Sequence, residues 1–443
     1  MSATDDKREH MKQLVSEQKI EEALALADRG DIQYLFDTGC EFLHKEKYDI
    51  VEKIFNRIVQ LIPDNVQAWS NRGTVLQILE QYDEALLCFD EALKIAPENA
   101  DLWYNQGTVL AATRKYEEAI ICFNKALEKD SSFAQAWHKK GMALQDIGEY
   151  RKALECFAEA GKRDPHHAQT WYARGVASGN RGRFAEAVEC FDEAIQIDPT
   201  HADAWLSKGM ALANLGEYTE AILCFTEATH IDPHFALAWY TKGMALHTLG
   251  KFKEAVQCFD EVIRLDPSHA DAWYVKGLSL HNLGEFEHAV RCLAEATKRD
   301  PHLAQAWYTK GLSHHNLGEF EHAVECYDNV IQHDPDHADA WLSKGAALQR
   351  LGNIEEAIYC YDKTISIAPH DANAWYNKGT ALQVRGDYSE ALTCYEKTLA
   401  LDPQHAQAWY NKGAILEILK EFDEARTCFD KAAEIDPRLG EPE

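Results

Sequence analysis

The sequence predicts an all-α fold, a solenoid of stacked antiparallel helix pairs, on three observations. Eleven tryptophans stand at Trp69, Trp103, Trp137, Trp171, Trp205, Trp239, Trp273, Trp307, Trp341, Trp375 and Trp409, every interval being 34 residues. Four places after each comes a glycine, from Gly73 to Gly413, and sixteen places after each an alanine, from Ala85 to Ala425. A proline follows each by twenty-eight places, from Pro97 to Pro437, with Ser131 as the exception. Independent domains would not hold one register over such a length; a repeated supersecondary unit does.

The unit reads as two helices. From Ala304, the positions Trp307, Gly311 and His314, then Ala323, Tyr327 and Val330, recur at helical spacing. Gly318 falls just past the first helix, where a left-handed residue is cheap for glycine. Phe320 packs in the turn and EFEHAVECYDNVI, residues 319–331, forms the second helix. Asp334-Pro335 ends it, because proline cannot continue a helix and disfavours helical geometry in its predecessor. The small Gly311 and Ala323 are expected to let the pair approach, with Trp307 filling the gap beside them. One hairpin cannot bury both helical faces, so neighbours must stack.

AWYNKGTALQVRGDYSEALTCYEKTLALDP, residues 374–403, follows the pattern W-x2-L-G-x2-Y, then A-x3-F, then P. The chain resembles the tetratricopeptide repeat (TPR) family on these columns over residues 32–439, which makes twelve repeats. The first, Ile32 to Asn65, is degenerate: it keeps Gly39, Phe55 and Pro63 in register, with Leu35 in the tryptophan place. The WYNKG wording also resembles the long TPR arrays of methanogenic archaea. Residues 7–31 are expected to form one capping helix over the first repeat, and residues 440–443 a short tail. The resemblance implies a right-handed superhelix serving as a non-catalytic protein–protein interaction scaffold. Its first helices would line a concave groove holding an extended peptide or partner segment.

With Trp307 turned to the core, residues 305, 308, 312, 315 and 316 point away from it and define that groove. Across repeats the face carries Tyr172, Tyr240, Tyr274 and Tyr308, the methionines Met210 and Met244, and the histidines His247, His281 and His315. Large amphipathic rings, adaptable thioethers and hydrogen-bonding groups suit a binding surface. Asparagines add to it. Asn71, Asn105, Asn377 and Asn411 stand two residues after tryptophan in the end repeats, and Asn180, Asn214, Asn282 and Asn316 nine residues after it in central ones. The two rows are seven residues apart, two helical turns, so they share a face and could pair with a peptide backbone. The Lys/Asn clamp that some TPRs use for an acidic C-terminus is not visible.

The departure from the family is the seventh position of the unit, usually Leu and here basic in Arg72, Lys140, Arg174, Lys208, Lys242, Lys276, Lys310, Lys344, Lys378 and Lys412. These bases are expected to lay their stems on the core and meet the Asp ten residues upstream, as with Lys140 and Asp130 or Lys208 and Asp198. Lys378, which follows Ala368, breaks that rule. The other reading is a basic stripe for an anionic ligand.

Eleven of the twelve cysteines, Cys88 to Cys428, fill one repeat position on the second helix. Equivalent points on stacked helices lie about 8–10 Å apart, too far for a disulfide or a shared zinc. They read as small apolar residues of a reducing compartment. Residues 307–337 contain five histidines, yet HNLGEFEHAV occurs twice, at 281 and at 315, so part of that richness is one unit copied. His201, His269, His337 and His405 belong to inter-repeat loops, and His314 replaces the core Leu of Leu246 and Leu280. The sequence therefore assigns no metal site and no cofactor. It contains no G-x-G-x-x-G, Walker loop, H-E-x-x-H or G-x-S-x-G, and no enzyme is expected.

A net charge of −28, from 73 acids against 45 bases, argues against nucleic acid or an anionic membrane surface. No run approaches the ~18 apolar residues of a membrane span, and the polar start MSATDDKREH is no secretory signal. A cytoplasmic setting is expected. At the far end, Phe429, Ala432 and Ile435 are expected to lack a cover, which would permit end-to-end self-association. A self-assembling structural protein and a regulatory array for a separate enzyme are the alternatives to the scaffold.

Overall fold

The computed structural model describes residues 3–439, so the tail expected over 440–443 lies outside the described residues. All regular structure among the described residues is helical, and twelve consecutive helix pairs run from Ile32 to Ile435. The chain divides into two compact units, residues 1–224 and 225–443.

One pair shows how the sequence builds each. Ala304–Leu317 and Phe320–His333 are joined by Gly318 and Glu319. Gly318 closes the first helix at φ +79°, the left-handed conformation that glycine adopts without strain. The same place is left-handed even where the residue is Glu80 or Arg114, both at φ +60°, so the turn imposes the geometry and glycine merely eases it.

The packing inside a pair differs from the expected one in its partners. A Cβ added at Gly311 would fall 2.6 Å from Cε1 of Tyr327, and one at Gly141 would fall 2.6 Å from Cε1 of Phe157. It is thus the aromatic sixteen residues on, pressed flat against bare backbone, that sets the helix separation. Tryptophan does not fill that gap. Its ring is half-buried, and its indole N–H donates to the carbonyl six residues earlier: Trp307 to Pro301 at 3.0 Å, Trp171 to Pro165 at 3.1 Å. Ser131 accepts from Trp137 in the same way, which explains why the proline could be lost there. The tryptophan therefore fastens the loop between repeats while packing against two successive cores, as Trp69 does with the groups around Phe55 and Phe89.

Those cores run on from repeat to repeat. In the second unit a single cluster extends from Leu348 through Tyr361 and Tyr395 to Ile415, spanning three repeats. In the first unit another extends from Met11 through Phe55 to Val75.

Residues 7–31, expected as one capping helix, instead hold parts of two, Ala3–Ser16 and Ile20–Leu26, followed by a 3-10 turn at Arg29–Asp31. Gln18 breaks the run at φ +63°, the same left-handed turn as in the repeats, without glycine or proline to announce it. Met11 is fully buried, and Lys7 ties the first of these helices to the 3-10 turn through Asp28 at 2.5 Å and the buried Asp31 at 2.6 Å. At the other end Ala432 is fully buried and Phe429 and Ile435 are half-buried, contrary to the bare edge expected. The exposed apolar side chains of the last repeat are Tyr410, Ile418, Leu419 and Phe422.

Candidate partner-binding surface

In each unit the first helices of neighbouring repeats line a cleft, and residues singled out from the sequence meet there. In the first unit Asn180, Met210 and Asn214 converge with Val176, Phe184 and Ser207 around a cleft of about 230 Å³. In the second, His315, Asn316, Tyr376 and Asn377 converge with Leu312, Tyr327, Ser343, Asn373 and Gln407 around one of about 530 Å³. Ser207, Ser343, Asn373 and Gln407 were missed from the sequence. They occupy the second and sixth positions of the repeat, on the face already defined, and an irregular mixture of residue types at those positions hid them.

The tyrosines are half-buried and largely committed to packing between repeats. Tyr172 lies 5.9 Å from Phe191 of its own repeat and 4.8 Å from His201 of the next inter-repeat loop. Tyr240 stacks on His269 at 5.1 Å, and Tyr308 packs against Tyr327 and His337. Burial pushes the hydroxyls of Tyr240, Tyr274 and Tyr308 above the usual tyrosine range. The loop histidines have two tasks: beneath these rings, His201, His269, His337 and His405 also cap the next helix. Nδ1 of each accepts from a backbone N–H at 3.2 Å, for instance that of Ala340 on His337.

His247 and His281, expected as groove groups, are posts between repeats. Their Nδ1 atoms lie 2.8 and 2.9 Å from the hydroxyls of Ser279 and Ser313. Each serine already donates to a helix carbonyl, of Val275 and Thr309, so each histidine must be the donor and carries its proton on Nδ1. Burial holds both below the usual histidine range. At His315 the residue thirty-two places on is Ala347 and not serine; its ring packs edge-on to Phe320 and lines the second cleft.

The lower asparagine row is exposed. Asn214 and Asn316 donate to carbonyls of their own helices, Met210 and Leu312, each at 2.8 Å, which leaves the amide oxygen to face outward. Asn180 and Asn282 are exposed at the equivalent place, as are Met210 and Met244. The upper row is half-buried and partly spoken for: Asn411 donates to Tyr376 at 3.2 Å, and Asn71 accepts from Gln67 at 2.9 Å. Asn105 and Asn377 are half-buried beside them in sequence register.

One buried polar group in the second cleft stands apart. Tyr361 and Tyr395 donate their hydroxyls to Gln349 and Gln383, at 2.9 and 2.7 Å. In the preceding repeat the glutamine position is His315, so the fully buried Tyr327 hydroxyl has no glutamine to meet. The hydroxyl nearest to it, that of Ser343, also lies 3.3 Å from Tyr308 and is shared between the two rings.

Five members of the basic column pair with acids, but not with the ones expected. Lys208, Lys276, Lys344 and Lys378 meet Asp192, Asp260, Asp328 and Asp362 at 2.5–2.6 Å, and Lys412 meets Glu396 at 2.9 Å. These acids lie sixteen residues upstream, on the second helix of the preceding repeat. The Asp ten residues upstream is occupied in its own turn: Asp198 accepts from Thr200 and Asp130 from Ser132. Gln106, the neutral member, donates to Asp90 in the same geometry. The cysteines are free thiols, buried apart from Cys40, and burial pushes Cys326 and Cys360 up to about 11.

No helix among the described residues is long and apolar enough to cross a membrane. Fold and surface together define an all-α repeat scaffold for protein–protein interaction. Tetratricopeptide repeat profiles match residues 66–99, 100–133, 138–202, 179–236, 236–269, 270–303, 304–337, 336–404 and 376–439. The chain belongs to the tetratricopeptide repeat family. No curated protein matches it. Among solved structures it is similar to YrrB, described as a TPR protein with an unusual peptide-binding site, at 24% identity over 42% of this chain and 97% of that one, TM-score 0.38. MamA from Desulfovibrio magneticus matches at 23% identity over 38% of this chain and 96% of its own, TM-score 0.37. The anaphase-promoting-complex assembly Cut9–Hcn1 matches at 15% identity over 94% and 96%, TM-score 0.42.

Proposed function

We propose that the first-helix face binds an extended segment of a protein partner, with the cleft from His315 to Gln407 as its principal contact. The observation that carries this reading is the Tyr327 hydroxyl, buried in the cleft wall without the glutamine its sister tyrosines have, among Asn316, Asn373 and Asn377. A partner's backbone carbonyl or side-chain acceptor would complete it, and the surrounding amides offer both donors and acceptors to an extended main chain. Amide recognition of a backbone tolerates many sequences, whereas Leu312, Leu342 and Tyr376 supply apolar area.

The test is selection of peptides from a random display library against the full chain, followed by affinity measurement on variants. Tyr327→Phe removes only the hydroxyl, and phenylalanine stands at that position in Phe123 and Phe157, so the fold persists. Selected peptides should bind Tyr327→Phe and Asn377→Ala about tenfold more weakly, the value of one hydrogen bond in a desolvated site. The melting temperature of Tyr327→Phe should not fall. Unchanged affinity in both variants sinks the reading.

A further inference from the structure

The richest cluster of metal-ligating side chains among the described residues lies outside that cleft, within one repeat. His314 Nδ1 is 2.6 Å from Glu319 Oε2, and His322 Nδ1 is 3.9 Å from the same oxygen. The two imidazole rings are 5.2 Å apart, and one ligand atom from each of the three residues falls within 4.8 Å of the others. From the sequence, ligands were sought between tiers, where stacking keeps them apart. This set comes from the end of one helix, the turn and the start of the next.

The turn builds the cluster. Glu319 donates its backbone N–H to the His314 carbonyl at 2.9 Å across the left-handed Gly318, which fixes residues 314 and 319 side by side. His322 stands three residues on, on the same side of the second helix as Glu319. His314 is buried, so its ring is held by packing, while Glu319 and His322 are exposed and free to adjust.

We propose that His314, Glu319 and His322 bind a divalent transition-metal ion of the zinc type, with solvent completing its coordination. Two imidazoles and one carboxylate are borderline nitrogen and oxygen donors suited to such an ion rather than to calcium or magnesium. Bringing three ligands to ~2.0–2.2 Å from one ion requires a closing of the order of an ångström on the exposed side. In the metal-free form the His314 Nδ1 proton points at Glu319. On binding, that proton moves to Nε2, so the neutral ring keeps its charge and presents the Nδ1 lone pair to the metal.

The chain contains its own control. Residues 281–290 and 315–324 are identical, and the equivalent of Glu319 and His322 is Glu285 with His288, 3.3 Å apart. The third position there is Leu280. One residue separates a complete set from an incomplete one.

Titration calorimetry of the full chain with zinc chloride tests this. One saturable equivalent is expected in the wild type. His314→Leu, which installs the residue of the sister repeat, should lose about tenfold or more of that affinity with its helical circular dichroism intact. Leu280→His should add a second equivalent. Wild-type and His314→Leu chains that titrate alike, or a wild type without a saturable equivalent, overturn the proposal.

Discussion

Lys276 places its ammonium 2.5 Å from Asp260 of the preceding repeat and 5.6 Å from the centre of the Trp273 ring. The same pair of distances recurs at Lys344, and Lys208 sits 5.7 Å from its ring. Where the upstream acid is missing, the base draws in over the tryptophan: Lys310, opposite Ala294, to 4.8 Å, and Lys140, opposite Asn124, to 4.9 Å. The ammonium thus chooses between two partners within reach. Asp260→Ala should therefore move Lys276 onto Trp273 and change stability by less than about 1 kcal/mol, since exposed pairs are weak and the ring takes up the charge. Lys276→Leu, the family's usual residue, should behave alike. Urea unfolding measures both, and a loss beyond about 2 kcal/mol would show that the pair is not interchangeable with the ring.

Helix separation within a repeat rests on the contact of glycine with an aromatic face. Gly141→Ala would drive a methyl group into Phe157, whose ring is fully buried and cannot swing aside. The expected loss is about 1–3 kcal/mol from overpacking. Phe157→Ala alone should lose about 3–5 kcal/mol by leaving a cavity. The double variant should fall short of the sum by at least about 1 kcal/mol, because the added methyl enters space the ring has vacated. Additive losses in a double-mutant cycle would show that the two residues do not share that space.

His138 stands where other repeats have Tyr104 or Tyr172, and it is buried, 3.1 Å from the Thr170 hydroxyl. Burial, with His167 and Lys139 acting in the same direction, pushes it down to about 4 from 6.5. The folded chain therefore holds the ring neutral while the unfolded chain takes up a proton. Its contribution is complete above pH 6.5 and is lost as the pH falls through 4. The total is about 3 kcal/mol from this ring. His138→Tyr should flatten that part of the profile, leaving the slope of His247, His281, His314 and His315, which burial also lowers. Denaturant midpoints at pH 7 and pH 4 decide it; identical pH slopes in the two chains would contradict the assignment.

The architecture was legible because its signal is redundant: tryptophan, glycine, alanine and proline columns repeat the same message. Partner identities were harder. The acid ten residues before every lysine but Lys378 was plain in the sequence, whereas the correct one, sixteen residues before, is interrupted by Asn56, Asn124, Ala158, Thr226 and Ala294. Nothing but geometry shows that the nearer aspartate is already bonded within its own turn. The first-helix face could be outlined from the sequence, but not which of its groups are free, since His247 and His281 look identical on paper to His315, which has no serine to meet. The break at Gln18 was hidden for a simpler reason: a polar residue can take a left-handed turn without glycine when the helices on either side pack well enough to hold it.

The contacts that define a unit all join positions at constant offsets: six from tryptophan to proline, sixteen from lysine to aspartate, thirty-two from His247 to Ser279. Excising any stretch of one whole period within a unit brings together side chains that already fit one another. Unequal recombination in the gene can therefore lengthen or shorten the array in complete periods without inventing a new contact, while a gain or loss of one codon would unseat every clamp it touches. The twin decapeptides at 281 and 315 are two periods that agree over ten positions, while the residues that flank them, Leu280 against His314 and Arg291 against Glu325, differ.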